Sequence, residues 1–232
     1  MSVSVAMAAY NGEKYIKEQV LSILKQLSCS DELVISYDKS DDNTYRIISD
    51  LAVRDNRIKI FSGPCNGLVK NFENALRHCK NDYIFLSDQD DIWLESKVSC
   101  VLNAFKGTNA DVILHDCIVV NKKADVLADS FFKLRHCRRG FLFNILHNSY
   151  IGCCMALKRS FLTNVLPFPQ NIPMHDQWIG LMAEKRHSVA FIKEPLIKYR
   201  RHLENVTKLK PSKFSDIIKF RLNLISALLE QL

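Results

Sequence analysis

Apolar and polar positions alternate along the first half of the chain in blocks whose period keeps changing. SVSVAMAA (residues 2–9) is a short apolar run ended by Tyr10-Asn11-Gly12, which predicts a buried strand and a turn. From Glu13 to Leu27 the apolar residues Tyr15, Ile16, Val20, Leu21, Ile23, Leu24 and Leu27 recur at helical spacing. ELVISY (32–37) predicts a second strand, and the polar stretch DKSDDNT (38–44) can cap a helix running through residue 53. RIKIFS (57–62), GPCNG (63–67), LVKNFENALRHC (68–79) and DYIFLS (82–87) then read as strand, turn, helix and strand. Four such units in succession predict an α/β fold: a three-layer sandwich around a mostly parallel sheet.

The second half is less regular. Lys97 to Phe105 has helical spacing and DVILHDCIVV (111–120) reads as a strand, whereas residues 121–150 are basic and aromatic without a clear period. GCCMALK (152–158) predicts a strand, RSFLTNVL (159–166) a helix, PFPQNIPM (167–174) a loop, and HDQWIGLMAEKR (175–186) a helix. Short strands follow at 190–192 and 195–199, and residues 213–232 form an amphipathic helix. No repeat or linker divides the chain, so the simplest division is one domain over 1–212 and a C-terminal amphipathic helix over 213–232.

Composition narrows the partners. The chain has 232 residues, 47% of them hydrophobic, as in a folded domain, and a net charge of +7. That excess suits an anionic partner: a nucleotide, a lipid diphosphate, a membrane surface or a nucleic acid. The eight cysteines show no CxxC spacing, and MSVSVAMAAYNG carries no basic leader, so free thiols in a cytoplasmic protein are expected rather than disulfides or zinc. No apolar stretch reaches the roughly 18–20 residues of a membrane span.

FLSDQDDIW (85–93) places three carboxylates in four positions where a strand ends. Turn and cap chemistry accounts for one Asp, with a helix starting near Trp93. A bound cation accounts for Asp88, Asp90 and Asp91 together, because like charges this close repel. The same stretch fits the strand-end acid pair of haloacid-dehalogenase-type phosphatases, although those carry it on the first strand. A non-enzymatic basic module binding membrane or nucleic acid is the third reading, and it leaves the acidic strand ends without a role.

Taken in order, YNGE (10–13), YDKSDDNT (37–44), NGLVKN (66–71), SDQDD (87–91), GCCMALKR, PMHDQWIG and EPLIKYRRH resemble family 2 glycosyltransferases of the GT-A fold, over roughly residues 3–205. The resemblance is strongest to bacterial O-antigen and capsule glucosyl-, galactosyl- and rhamnosyltransferases. It implies an inverting transfer of a sugar from a UDP- or dTDP-sugar. Asp88-Gln89-Asp90 matches the DxD motif, so Asp88 and Asp90, with Asp91 assisting and His202 from YRRH, would hold Mn2+ or Mg2+ at the donor diphosphate. Asp176 matches the general base; its other reading is a cap on the following helix. His175 either orients that base or packs beside Trp178. The backbone of Ala9, Tyr10 and Asn11, with Glu13, Asp38 and Asn71, would border the nucleotide, and Arg201 or Arg200 would contact phosphate; YRRH reads equally as a solvated basic loop. Asn66 is either near the nucleotide or a helix cap. The chain departs from the family where Tyr37 replaces an acid and Lys39 a glycine, which leaves UDP or dTDP open; Tyr37 or Asp38 would then meet the base. The resemblance further implies an undecaprenyl-diphosphate-linked acceptor, residues 121–150 as an acceptor-side lid, no nucleic acid, and a cytoplasmic protein that is peripheral on the inner membrane if helix 213–232 lies on lipid rather than packing on the domain.

Overall fold

The computed structural model describes residues 1–202 and 214–230. The first half follows the expected alternation: β1 Val3–Ala9, α1 Ile16–Leu24, β2 Glu32–Tyr37, α2 Thr44–Arg54, β3 Ile58–Ser62, α3 Gly67–His78 and β4 Tyr83–Ser87. The second half comprises β5 Ile92–Trp93, α4 Lys97–Gly107, β6 Val112–Asn121, β7 Val126–Ala128, α5 Phe131–Arg135, α6 Phe141–Leu146, β8 Met155–Lys158, α7 Leu162–Val165, α8 His175–Lys185, β9 Val189–Arg201 and α9 Phe214–Leu229. The expected boundary at 212/213 lies outside the described residues.

Hydrogen bonding orders the strands β3-β2-β1-β4-β8-β6-β9-β5, with β7 pairing β6. β3, β2, β1 and β4 are mutually parallel, and β6 pairs in parallel with β9. β8 runs antiparallel between β4 and β6 and joins the two parallel groups. β1 is central and buried at all its positions, which is why VSVAMAA is apolar throughout instead of alternating. Ile16, Val20 and Ile23 of α1, Ile48 of α2, and Phe72 and Leu76 of α3 are fully buried in the core that covers the sheet.

The second half departs from the expected elements where tertiary pairing decides. Residues 190–192 and 195–199 belong to one strand, β9, whose register against β6 shifts around Asp116; Pro195 sits opposite that Asp. A bulge absorbs the proline, so the pattern looks broken although the strand continues. Trp93 does not start a helix but pairs with Ile197 in the two-residue strand β5. Gly152–Cys154 forms a single 3-10 turn, which leaves only Met155–Lys158 as strand. Residues 121–150 hold β7, α5 and α6, each too short to show a period.

α9 packs on its own protein through one face. Leu224, Ala227 and Leu228 are buried, and Arg221 Nη2 donates to the Leu146 carbonyl of α6 at 2.6 Å. Among the described residues no helix is long and apolar enough to cross a membrane.

Candidate active site

Parallel strands end at one edge of a sheet, and the polar segments after β1, β2 and β4 meet there in a cleft of about 870 Å³. Two of these segments are latched together. Gln89 accepts from Tyr10 N (2.9 Å) and donates to Tyr10 O (2.7 Å), a paired bond between the acidic turn and the β1 loop. A Cβ on Gly12 would lie 2.3 Å from Gln89 Oε1, so the latch needs a glycine there. Asn11, at φ 47°, turns the chain and accepts from Asp41 N, while Glu13 accepts from Asn43 N and Nδ2. Glu13 thereby braces the loop after β2 as well as lining the cleft.

The acidic turn lies at the floor. One ligand atom each from Asp88, Asp91 and Cys153 lie within 4.8 Å of one another. Asp91 Oδ1 accepts from Arg200 N at 2.9 Å, but its buried Oδ2 has no hydrogen-bond partner. Asp90 Oδ2 faces His202 Nε2 at 2.7 Å. Desolvation and then the charges of Asp91, Asp90 and Asp176 push Asp88 well above the usual carboxylate range. Burial, followed by the charge of Asp90, raises Asp91 to about 7. Carboxylates raised by burial and by one another, with one oxygen left unpaired, are a donor set that fits a divalent cation.

Buried cations brace this turn from behind. The Arg200 guanidinium donates to Asp90 O (2.8 Å), Lys122 O (3.0 Å) and Glu18 Oε2 (2.7 Å) and lies over the Tyr15 ring. Lys97 is fully buried, donates to Cys153 O at 2.7 Å and sits 4.0 Å from the Trp93 ring centroid. Burial lowers its ammonium to about 8.

Asp176 occupies the first turn of α8 and lines the same cleft, near enough for its charge to act on Asp88. It does not cap the helix, since Met174 holds the cap position without a side-chain bond. Its Oδ1 accepts from Gln177 N (2.6 Å) and its Oδ2 from Gly152 N (3.0 Å). Burial outweighs these bonds and raises the carboxyl to about 6. His175 stacks on Phe72 at 4.0 Å, and burial pushes it down to about 3, so the ring is neutral. Its contact is therefore with Phe72, and neither ring nitrogen has a hydrogen-bond partner. Gly152→Ala would put a Cβ 2.9 Å from His175 Nε2 and 3.7 Å from Asp176 Cβ. The His175 ring must move, and Asp176, the next residue in the chain, is expected to move with it. The expected result is a roughly 10- to 100-fold lower transfer rate with unchanged nucleotide affinity, read from initial rates and calorimetry.

Of the residues singled out in the sequence, Tyr10, Asn11, Glu13, Asp38, Asn71, Asp88, Asp90, Asp176 and His202 all line this cleft. Ala9 is fully buried and does not; its carbonyl accepts from Asp38 N and Asn71 Nδ2. Tyr37 packs against Tyr45 and accepts from Ser40 N through its hydroxyl, away from the cleft. Asn66 stands at the cap position of α3 but makes no side-chain cap bond. Arg200 and Arg201 lie in β9 and not in a loop; Arg201 donates to the Tyr199 hydroxyl at 3.2 Å and is not on the cleft wall. Lys14 and Lys39 are the cations that line it instead. Gln89 and Cys153, which sequence reasoning passed over, have no local signature because their partners are distant in the chain.

The sequence matches the model of glycosyl transferase family 2 over residues 4–166. It is 28% identical over 223 residues to the dTDP-rhamnosyl transferase RfbG of Shigella flexneri, covering 86% of this chain and 72% of that protein. It is 26% identical over 218 residues to the UDP-Glc:alpha-D-GlcNAc-diphosphoundecaprenol beta-1,3-glucosyltransferase WfgD of Escherichia coli, covering 93% and 82%. Among solved structures it resembles S. aureus TarS in complex with UDP-GlcNAc (TM-score 0.74, 20% identity), covering 97% of this chain and 66% of that one. It also resembles glucosyl-3-phosphoglycerate synthase from Mycobacterium tuberculosis in complex with Mn2+, UDP and glucosyl-3-phosphoglycerate (TM-score 0.63, 17% identity), covering 99% and 79%. These structures share the GT-A fold with this chain, and the match over most of its length makes it a member of glycosyl transferase family 2, an enzyme that uses nucleotide-sugar donors.

Proposed function

We propose that the protein is an inverting hexosyltransferase that moves a sugar from a UDP- or dTDP-sugar to an undecaprenyl-diphosphate-linked saccharide during surface-polysaccharide synthesis. The observation that carries this reading is that Asp176 and the Asp88–Asp90 turn line one cleft. With a carboxyl near 6, Asp176 is ionised at neutral pH yet basic enough to take a proton. The acceptor hydroxyl gives its proton to Asp176 as its oxygen bonds to the anomeric carbon. The bond from that carbon to the diphosphate oxygen breaks on the opposite side, so the configuration inverts. Tyr10, Asn11, Glu13, Asp38 and Asn71 border the nucleotide on the β1–β2 side, where Lys14 and Lys39 attract the diphosphate.

The donor set at the acidic turn fits a divalent cation, with the unpaired Asp91 oxygen as the observation in its favour. Asp88, Asp90 and Asp91, with His202, would hold Mn2+ or Mg2+, which when bound neutralises the charge of the departing diphosphate. The M. tuberculosis neighbour was solved with Mn2+ and UDP, RfbG is named for dTDP-rhamnosyl transfer, and WfgD for a diphosphoundecaprenol-linked acceptor. Lys39, standing where the family pattern has glycine, lines the cleft. The test is calorimetric titration of UDP and dTDP with and without Mn2+, followed by transfer from the sugar nucleotide of whichever binds to a diphosphoundecaprenol-linked N-acetylglucosamine. Metal-dependent binding of one and an inverted product support the reading. Failure of both nucleotides to bind with metal present overturns it.

A further inference from the structure

We infer that the α6–α9 face docks on an anionic phospholipid surface and sets the side from which the acceptor reaches Asp176. α9 carries two apolar stripes. One, with Leu224 and Leu228, is buried against the protein. The other, Ile218, Leu222, Ile225 and Leu229, follows the i, i+4, i+7, i+11 spacing of a single helix face and is exposed, Leu222 at 62% and Leu229 at 61%. α6 adds Leu142, 75% exposed, and Leu146. A second cavity of about 220 Å³, lined by Phe141, Ile145, Lys185, Ile225, Leu228 and Leu229, opens between the two helices. Exposed leucines on adjoining helices around an apolar cavity form one apolar patch, the kind of feature that marks an interaction site.

Charge selects the occupant. Residues 131–147 contain Lys133, Arg135, Arg138 and Arg139 and no Asp or Glu. Lys185 and Arg186 end α8 beside the cavity, and Lys219 and Arg221 lie on α9. α9 itself is charge-balanced, with Asp216 and Glu230, so the excess of cations comes from residues 131–147 and the end of α8. Apolar side chains beside that excess match the acyl boundary and headgroups of an anionic bilayer. Position links the face to the chemistry. Gln177, the residue after Asp176, donates from Nε2 to Asn144 O of α6 at 2.8 Å, so the face belongs to the base side of the cleft. This inference rests on the lipid-linked acceptor of the proposed function, but it is tested without donor or acceptor.

The experiment is co-sedimentation of the full chain with phosphatidylcholine vesicles, with and without phosphatidylglycerol, at low and high salt. Binding is expected only with phosphatidylglycerol and falls as salt rises. Leu222→Glu with Ile225→Glu, and separately Leu142→Glu, should each lower the bound fraction at least tenfold. Both variants should keep metal-dependent nucleotide binding, which reports that the cleft is intact. Equal sedimentation of wild type and variants, or none of the wild type with phosphatidylglycerol, overturns the inference. So does a dimer in size-exclusion chromatography that these substitutions dissolve, since a second copy would then be the occupant. Loss of nucleotide binding in the wild type counts against the proposed function and leaves the vesicle result to be read separately.

Discussion

Asp176→Asn is expected to lower transfer by about 10²- to 10⁴-fold, the usual worth of a positioned general base. Asparagine keeps the shape and can still accept from the Gln177 or Gly152 N–H through its carbonyl, but it cannot take the acceptor's proton. Donor affinity should stay within about twofold, because the substitution removes an interaction of the transition state alone. The pH profile gives a second readout. Burial raises the carboxyl from 3.8 to about 6, so the base is protonated and idle below that pH and ionised above it. At saturating Mn2+, which would keep Asp91 and the rest of the acidic turn ionised, the turnover of the wild type should therefore fall about tenfold per pH unit below 6 and level off above it. The variant should lose this acid limb along with its rate. A variant that keeps both would remove Asp176 from the chemistry.

Asp90→Ala should abolish the metal-dependent part of nucleotide binding, a loss of about 100-fold or more by calorimetry with Mn2+. The folded state should suffer little. The substitution removes the His202 contact, but Asp90 charge also helps push Asp88 and Asp91 upward, so its loss relieves repulsion, and the Arg200 bond to the Asp90 backbone carbonyl remains. Unchanged or higher thermal stability beside lost nucleotide affinity is the signature of a site that trades stability for function. Retained metal-dependent binding would move the cation away from Asp90, and a collapsed melting temperature would make that side chain structural.

The four strand–helix units were legible because buried parallel strands read as uninterrupted apolar runs and their helices as 3.6-residue periods. Strand ends of a parallel sheet share an edge, so the polar runs after Ala9, Tyr37 and Ser87 could be expected in one place before any contact was known. The pattern fails where long-range contacts choose the structure. Tyr37 reads as a group poised for a base, yet Tyr45, on the next helix, takes its ring. Arg201 reads as a phosphate contact, but β9 continues through it and gives it to Tyr199. Gln89 sits at the unspecified position of an Asp-x-Asp motif and turns out to fasten two loops. Arg200 carries no mark in the sequence that separates it from its neighbour, although one is buried and the other is not.

Arg200 also fixes when the enzyme becomes competent. It meets Asp91 across 109 positions and Glu18 across 182, and His202 meets Asp90 across 112. Contacts of such long separation form late, after the loop-closure entropy has been met by other pairings. While β9 is still undocked, the aspartates of the acidic turn have neither their guanidinium brace nor their imidazole neighbour. The acidic turn is therefore expected to gain its braces late in folding, after the strands that flank it have paired.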